Sequence, residues 1–419
     1  MALSGTLSGM APGWDIQEIR DGTSTLSSTL SGTTTGLGHP PNPSAKPAPT
    51  PTYDRALHLQ RSTRSATTPR AAPCHTAPMT RARKELIDLG TTPYYHCISR
   101  CVRRAFLCGR DNVTQKSFEH RKHWLVNRFA ELVDIFAIEL CAYAVMSNHY
   151  HVVLRVDPDR AREWTDEDVA ARWARLYGNA LAKKLTRRDA LTNDEKTVLR
   201  AAIPLWRTRL HDISWFMRCI NEPLARTANL EDQCQGRFWE GRFKSQALAD
   251  EAALITCMTY VDLNPIRAGL TSTLQGSTFT SVKQRIEDYR AKTATPQART
   301  NSKSTARQTM PALAAFANKG DVEDACDTLP IDFASYLSLV DWTGRAIRHD
   351  KKGTIPSDVA PILTQLGINP QHWTNGVQRF NREFHSVAGT IASMQAWCER
   401  LGQKWLKGFS LSRLLFAHA

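Results

Sequence analysis

Apolar positions fall into two periods along this chain. Phe118, Trp124, Leu125, Phe129, Leu132, Val133 and Phe136 recur at helical spacing, which predicts an amphipathic helix from Thr114 to about Phe136. Ala137 to Met146 is a run of strand formers, and Ser147-Asn148 supplies a turn, so the segment predicts one arm of a hairpin. The second arm, beginning at His149, alternates: His149 and His151 fall on one face, Tyr150 and Val152 on the other. Tyr94 to Ser99 is rich in β-formers and predicts a strand beside the histidine strand. Ile213, Phe216, Met217, Ile220 and Leu224 mark a further helix. Leu254, Cys257, Met258 and Val261 mark another, opened by Asp250 as N-cap and closed near Asn264 because Pro265 disfavours helix before it.

Composition divides the chain around these elements. Residues 1–88 are dominated by Ser, Thr, Gly, Pro and Ala with few large apolar side chains, too little to offset the entropy of ordering, and read as a disordered tail. Residues 89–289 hold the periodic elements, interrupted by a charged helical stretch over about 157–210 in which Thr165 and Asp168 have the spacing of a capping box. Residues 290–310 carry Arg290, Lys292, Arg299, Lys303 and Arg307 with no acid, and read as a basic linker. Residues 311–419 predict an α-helical C-terminal module containing Trp373, Trp397 and Trp405; reading DNA, packing and oligomerisation all fit it.

The net charge of +14 suits a partner with a phosphate backbone, but a ribosomal or membrane-surface protein would carry the same excess. No apolar run approaches a membrane span and no secretory signal is apparent, so the expected location is the cytoplasm, without membrane association. Ten irregularly spaced cysteines suit reduced thiols better than a disulfide framework. Cys97, Cys101, Cys108 and Cys234 are zinc candidates that lack a paired C-x2-C knuckle.

Three stretches carry candidate chemistry. His149 and His151, two residues apart on a strand, can share one metal; histidines satisfied by hydrogen bonds would look the same. Tyr260 and Asn264 are i, i+4 neighbours outside the apolar stripe of their helix, so phenol and amide point the same way; a packed tyrosine and a helix cap fit as well. Gly236 to Gln246 interleaves Arg237, Arg242 and Lys244 with Phe238, Trp239 and Phe243, a composition suited to stacking on unpaired bases while cations follow phosphates. Core packing accounts for the phenylalanines equally, and Glu240 suits either a ligand-positioning role or a surface ion pair.

Taken in order, the His-Tyr-His strand after Met146-Ser147-Asn148, the segment from Gly236 to Lys244, and Tyr260-Val261-Asp262-Leu263-Asn264-Pro265-Ile266-Arg267-Ala268-Gly269-Leu270 resemble the HUH single-strand DNA transposases, in particular the REP-associated tyrosine transposases. The resemblance runs from about Tyr94 to Leu270. It implies an α+β fold with a ferredoxin-like antiparallel sheet and packed helices. It further implies a divalent metal, Mg or Mn, held by His149, His151 and Asn264, and Tyr260 as the nucleophile that cuts single-stranded or hairpin DNA through a 5′-phosphotyrosine. Arg100, Arg103, Arg104, Arg237, Trp239, Arg242, Lys244 and Arg267 are the residues expected to contact DNA. That family includes dimers that exchange the tyrosine helix as well as monomers, so a homodimer is among the expected assemblies. An HUH replication initiator or relaxase would use the same chemistry, although the chain has no P-loop. A domesticated DNA-binding protein that no longer cuts would keep the same scaffold.

Overall fold

The computed structural model describes residues 83–102, 107–111, 115–293, 310–318, 327–348 and 356–416. The expected tail, apart from its last six residues, and most of the expected linker lie outside the described residues, as do Arg103 and Arg104.

After a single turn, α1 (Arg83–Leu86), the chain lays down β1 (Tyr94–Arg100), α2 (His120–Ile135), β2 (Ile138–Val145) and β3 (His149–Val156). Helix α2 begins later than its apolar period suggests, because Ser117 pairs with Arg110 in an isolated bridge and Phe118 N–H donates to Gly109 O. The hairpin forms as expected, with Met146 N–H donating to His149 O across the Ser147-Asn148 turn. Helices α3 (Pro158–Glu163), α4 (Asp166–Tyr177), α5 (Ala180–Arg187) and α6 (Asn193–Arg209) fill the charged stretch. Thr165 and Asp168 cap α4 reciprocally. Then come α7 (Ile213–Glu231), β4 (Lys244–Leu248), α8 (Glu251–Asp262), the turn α9 (Asn264–Arg267) and α10 (Ser281–Thr293).

Strands β2, β3, β1 and β4 are neighbours in that order and all antiparallel. Strand β3 is therefore paired on both sides, which fixes its side-chain directions more firmly than a loop could. The sheet is mixed, however, rather than purely antiparallel. A fifth strand, β5 (Val387–Ala388), comes from the C-terminal region and pairs with β4 in parallel, Ala247 opposite Val387. The physical reason is that β4 would otherwise be an open edge with unpaired backbone groups. The C-terminal region, expected to be helical, is thus helical with one short strand built into the sheet.

The two sheet faces bury different helices. Tyr150 points to the face covered by α2 and α7, where its ring meets Phe129 and its hydroxyl donates to Asn221 Oδ1 at 2.7 Å. His151 points to the opposite face, where its ring meets Tyr260 of α8. Helix α8 is buried beyond its apolar stripe, since residues 252–262, Tyr260 among them, are all buried. The helices Phe333–Ile347 and Trp373–Glu383 close over α8 and α9: Tyr336 donates to Asp262 Oδ2 at 2.7 Å, and Phe380 packs on Tyr260. Trp373 and Trp397 are fully buried and serve packing, whereas Trp405 is 63% exposed.

Candidate active site

Each functional side chain is placed by ordinary secondary structure. The pleat of β3 turns His149 and His151 toward α8, and Asp250 caps α8 by accepting from Ala253 N–H at 2.9 Å. Tyr260 then arrives two turns along α8 with its ring centroid 5.7 Å from that of His151 and 6.0 Å from that of His96. Helix α8 ends at Asp262, whose side chain accepts from Ser281 and from Val282 N–H as well as Tyr336, so the end of the helix is tied to two other segments.

The imidazoles form a relay. The amide oxygen of Gln246 can only accept, so His96 Nδ1, 3.2 Å away, carries the proton. His96 Nε2 then accepts from His151 Nδ1 at 2.8 Å, and His151 Nε2 keeps a lone pair, buried and without a partner. Likewise His149 Nδ1 donates to Asn148 Oδ1 at 2.5 Å and leaves its Nε2 as the acceptor. Burial, the largest influence, pushes His96 and His149 down to about 4, and holds His151 well below the ordinary value. Nearby Arg100 and His96 add to the effect on His149, and His96, His149, Arg267 and Arg100 to that on His151. All three rings are neutral at pH 7, the form in which imidazole binds metals.

A cavity of about 550 Å³ opens over these groups, lined by Ile98, Arg100, His149, His151, Glu240, Gly241, Arg242, Lys244, Tyr260 and Asn381. Its volume is in the range of small-ligand sites. With the histidines neutral, three cations face one carboxylate, Glu240, so the cavity favours an anion.

Of the expected site residues, His149, His151, Tyr260, Arg100, Arg242 and Lys244 meet in this cavity. Asn264 is not in its lining; it sits one turn past Tyr260 in α9, 7% exposed, with its amide nitrogen unpartnered. Arg267 places its guanidinium 4.2 Å from the centre of the Tyr260 ring and donates to Gln378 O at 3.1 Å. Trp239 is half-buried on the other face of the sheet, its ring against Tyr150 and its Nε1 donating to Asn221 O at 2.8 Å. Arg237 is exposed.

Among the described residues, no three His, Cys, Asp or Glu side chains meet as a metal site. An ion at His149 and His151 would therefore complete its shell with amide, water or phosphate oxygens. The lone pair of His151 Nε2, isolated from every protein donor, fits such an ion. For Cys97 and Cys108, burial pushes the thiols up to about 12, which keeps them protonated.

Two contributors were not visible in the sequence. Gln246 faces His96 across the β1–β4 pair, a register that no motif announces. Asn381 comes from the Trp373–Glu383 helix, more than a hundred residues beyond Tyr260, and follows Phe380, which is one of that helix's apolar positions.

No family model matches the sequence, and no curated protein matches it. One solved structure, a REP-associated tyrosine transposase bound to a REP hairpin, is similar over 46% of this chain and 79% of its own length, at 13% identity and a TM-score of 0.28. A likeness this distant carries no argument about function.

Proposed function

We propose that the chain is a metal-dependent, single-strand DNA endonuclease and strand transferase of the HUH type, with a ferredoxin-like catalytic sheet and Tyr260 as its nucleophile. One observation carries the reading: a phenol and two neutral imidazoles from distant segments line one cation-rich cavity within a single chain. His149 and His151 are the metal ligands of this reading. Asn264, one turn past Tyr260 although outside the cavity lining, is the third ligand of this reading, through an amide oxygen of the kind suited to Mg or Mn. A divalent ion held there would neutralise charge on a non-bridging oxygen of the scissile phosphate.

The remaining chemistry belongs to the chain itself. Arg100, Arg242 and Lys244 hold the phosphate backbone at the cavity. The Tyr260 oxygen attacks phosphorus; the Tyr Oη–P bond forms as the P–O3′ bond breaks. The phenolic proton is lost to solvent and the leaving 3′ oxygen takes one up. The products are a 5′-phosphotyrosine and a free 3′-hydroxyl, and the reverse step on another 3′ end completes strand transfer without a nucleotide cofactor.

The test is covalent capture. Full-length protein with Mn²⁺ and a pool of hairpin oligonucleotides bearing randomised single-stranded flanks is expected to yield a protein–DNA adduct resistant to denaturation, absent in Tyr260→Phe although DNA binding persists. An adduct that survives in Tyr260→Phe removes the proposed nucleophile. Binding without any adduct in the wild type favours a DNA-binding protein that does not cut, the one competing reading that the basic cavity also supports.

A further inference from the structure

The C-terminal region does more than cover α8, and among its described residues the one that lines the cavity is Asn381. This side chain lines the same cavity as Tyr260, although its helix lies outside the segment from Tyr94 to Leu270 that carries the catalytic motifs. It is held there by its neighbours. Phe380 sets its ring 5.8 Å from that of Tyr260, and Arg267 donates to the carbonyl of Gln378 one turn earlier on the helix. Trp373 and Val377 bury the same helix on its inner side, and β5, following it, is locked into the sheet beside β4. The helix therefore has little freedom to slide relative to α8. Arg267 and Asn381 are the polar side chains that favour the ionised form of Tyr260 against the effect of its burial.

A tyrosine ring packed as tightly as this one can still rotate its O–H about the C–O bond. Without a fixed donor, the oxygen lone pairs would sample directions other than that of the phosphate. The aromatic contacts of His96, His151 and Phe380 hold the ring but do not orient the lone pairs. Arg267 lies over the ring face, so an amide reaching the oxygen from the cavity side is the group that completes the orientation.

We infer that Asn381 is a positioning residue for Tyr260: its amide donates to the phenolic oxygen and, together with Arg267, sets the direction from which that oxygen meets phosphorus. The inference rests on the reading of Tyr260 as the nucleophile and adds the C-terminal region to the active site.

The test uses full-length protein and two variants, Asn381→Leu, which keeps the shape and removes the donor, and Asn381→Asp, which keeps the shape and presents only acceptors. In single-turnover capture on the oligonucleotide pool with Mn²⁺, both should slow adduct formation by about five- to tenfold, as expected for one hydrogen bond, with half-saturating DNA concentration unchanged within about twofold. Asn381→Gln, which retains the amide, should recover part of the rate. The ring Cζ resonance of ¹³C-tyrosine-labelled protein, assigned to Tyr260 by its absence in Tyr260→Phe, should move in Asn381→Leu at constant pH while the unfolding midpoint stays put. A rate that is unchanged or raised, or a Tyr260 resonance that does not move, overturns the inference. If the wild type forms no adduct at all, the reading of function fails, and the resonance alone still decides whether Asn381 holds the phenol.

Discussion

His96 Nε2 lies 2.8 Å from His151 Nδ1, and the two rings stack at an interplanar angle of 13°. This contact dictates which nitrogen of His151 is free: the one N–H of neutral His96 already goes to Gln246, so His96 Nε2 can only accept, and His151 must present its N–H at Nδ1. Replacing His96 with Phe keeps the ring and abolishes the acceptor. The variant should bind Mn²⁺ about 10- to 100-fold more weakly, the usual cost of losing an outer partner of a metal-bound histidine. Titration calorimetry reads it directly, as does a smaller Mn²⁺-induced rise in melting temperature. Equal affinity in the two proteins would show that the relay does not tune the site.

The same burial makes metal-free stability depend on pH. In the unfolded chain histidine binds its proton near pH 6.5, whereas folded His96 and His149 do so only near 4. Between those values the unfolded state holds more protons, so stability is full above about pH 6.5 and falls as pH drops toward 4. Urea midpoints measured across that window should decline in the wild type and decline less in His96→Phe. A flat profile would mean that the rings are not desolvated as described.

Arg242 and Lys244 are exposed cations on the cavity rim. If both contact phosphates, Arg242→Ala and Lys244→Ala should each reduce the slope of log affinity against log salt by about 0.7 on single-stranded DNA. The loss should be similar for oligonucleotides of different sequence, because phosphate contacts carry no base information. A loss confined to particular sequences would point to base contacts instead.

Asp262 is fully buried, and burial raises its carboxyl above the ordinary value against the hydrogen bonds from Ser281 and Tyr336. Tyr336→Phe removes one of those donors and leaves Oδ2 without it. Denaturant unfolding should show a loss of about 1 to 3 kcal/mol. The adduct-forming rate should also fall, since Asp262 ends the helix that carries Tyr260. Unchanged stability would mean that a water replaces the phenol.

The elements that carry the candidate site residues were legible because each is encoded locally. A two-residue period faces His149 and His151 the same way whatever surrounds them. Asp250 opens α8 through backbone chemistry that needs no tertiary partner, whereas Pro265 does not keep Asn264 out of helix, since the two residues together start the turn α9. By contrast, the apolar stripe of α8 left the surroundings of Tyr260 open: a tyrosine outside that stripe is buried only because a second layer is laid over it, and that layer comes from the helices Phe333–Ile347 and Trp373–Glu383.

By itself, then, the sequence determined β1, the β2–β3 hairpin, the helices α2, α7 and α8 in outline, the face on which the histidines stand and the residue types available for chemistry, since these follow from backbone preference and side-chain period. Only the tertiary structure decided that Gln246 and His96 would set the proton on His151, that β5 would close the edge of β4 in parallel, and that Asn381 would share a cavity with Tyr260. Each of these joins segments far apart in the chain. Such contacts depend on strand register and on which surfaces are left to bury once the local elements have formed, and neither is written in any short stretch of residues.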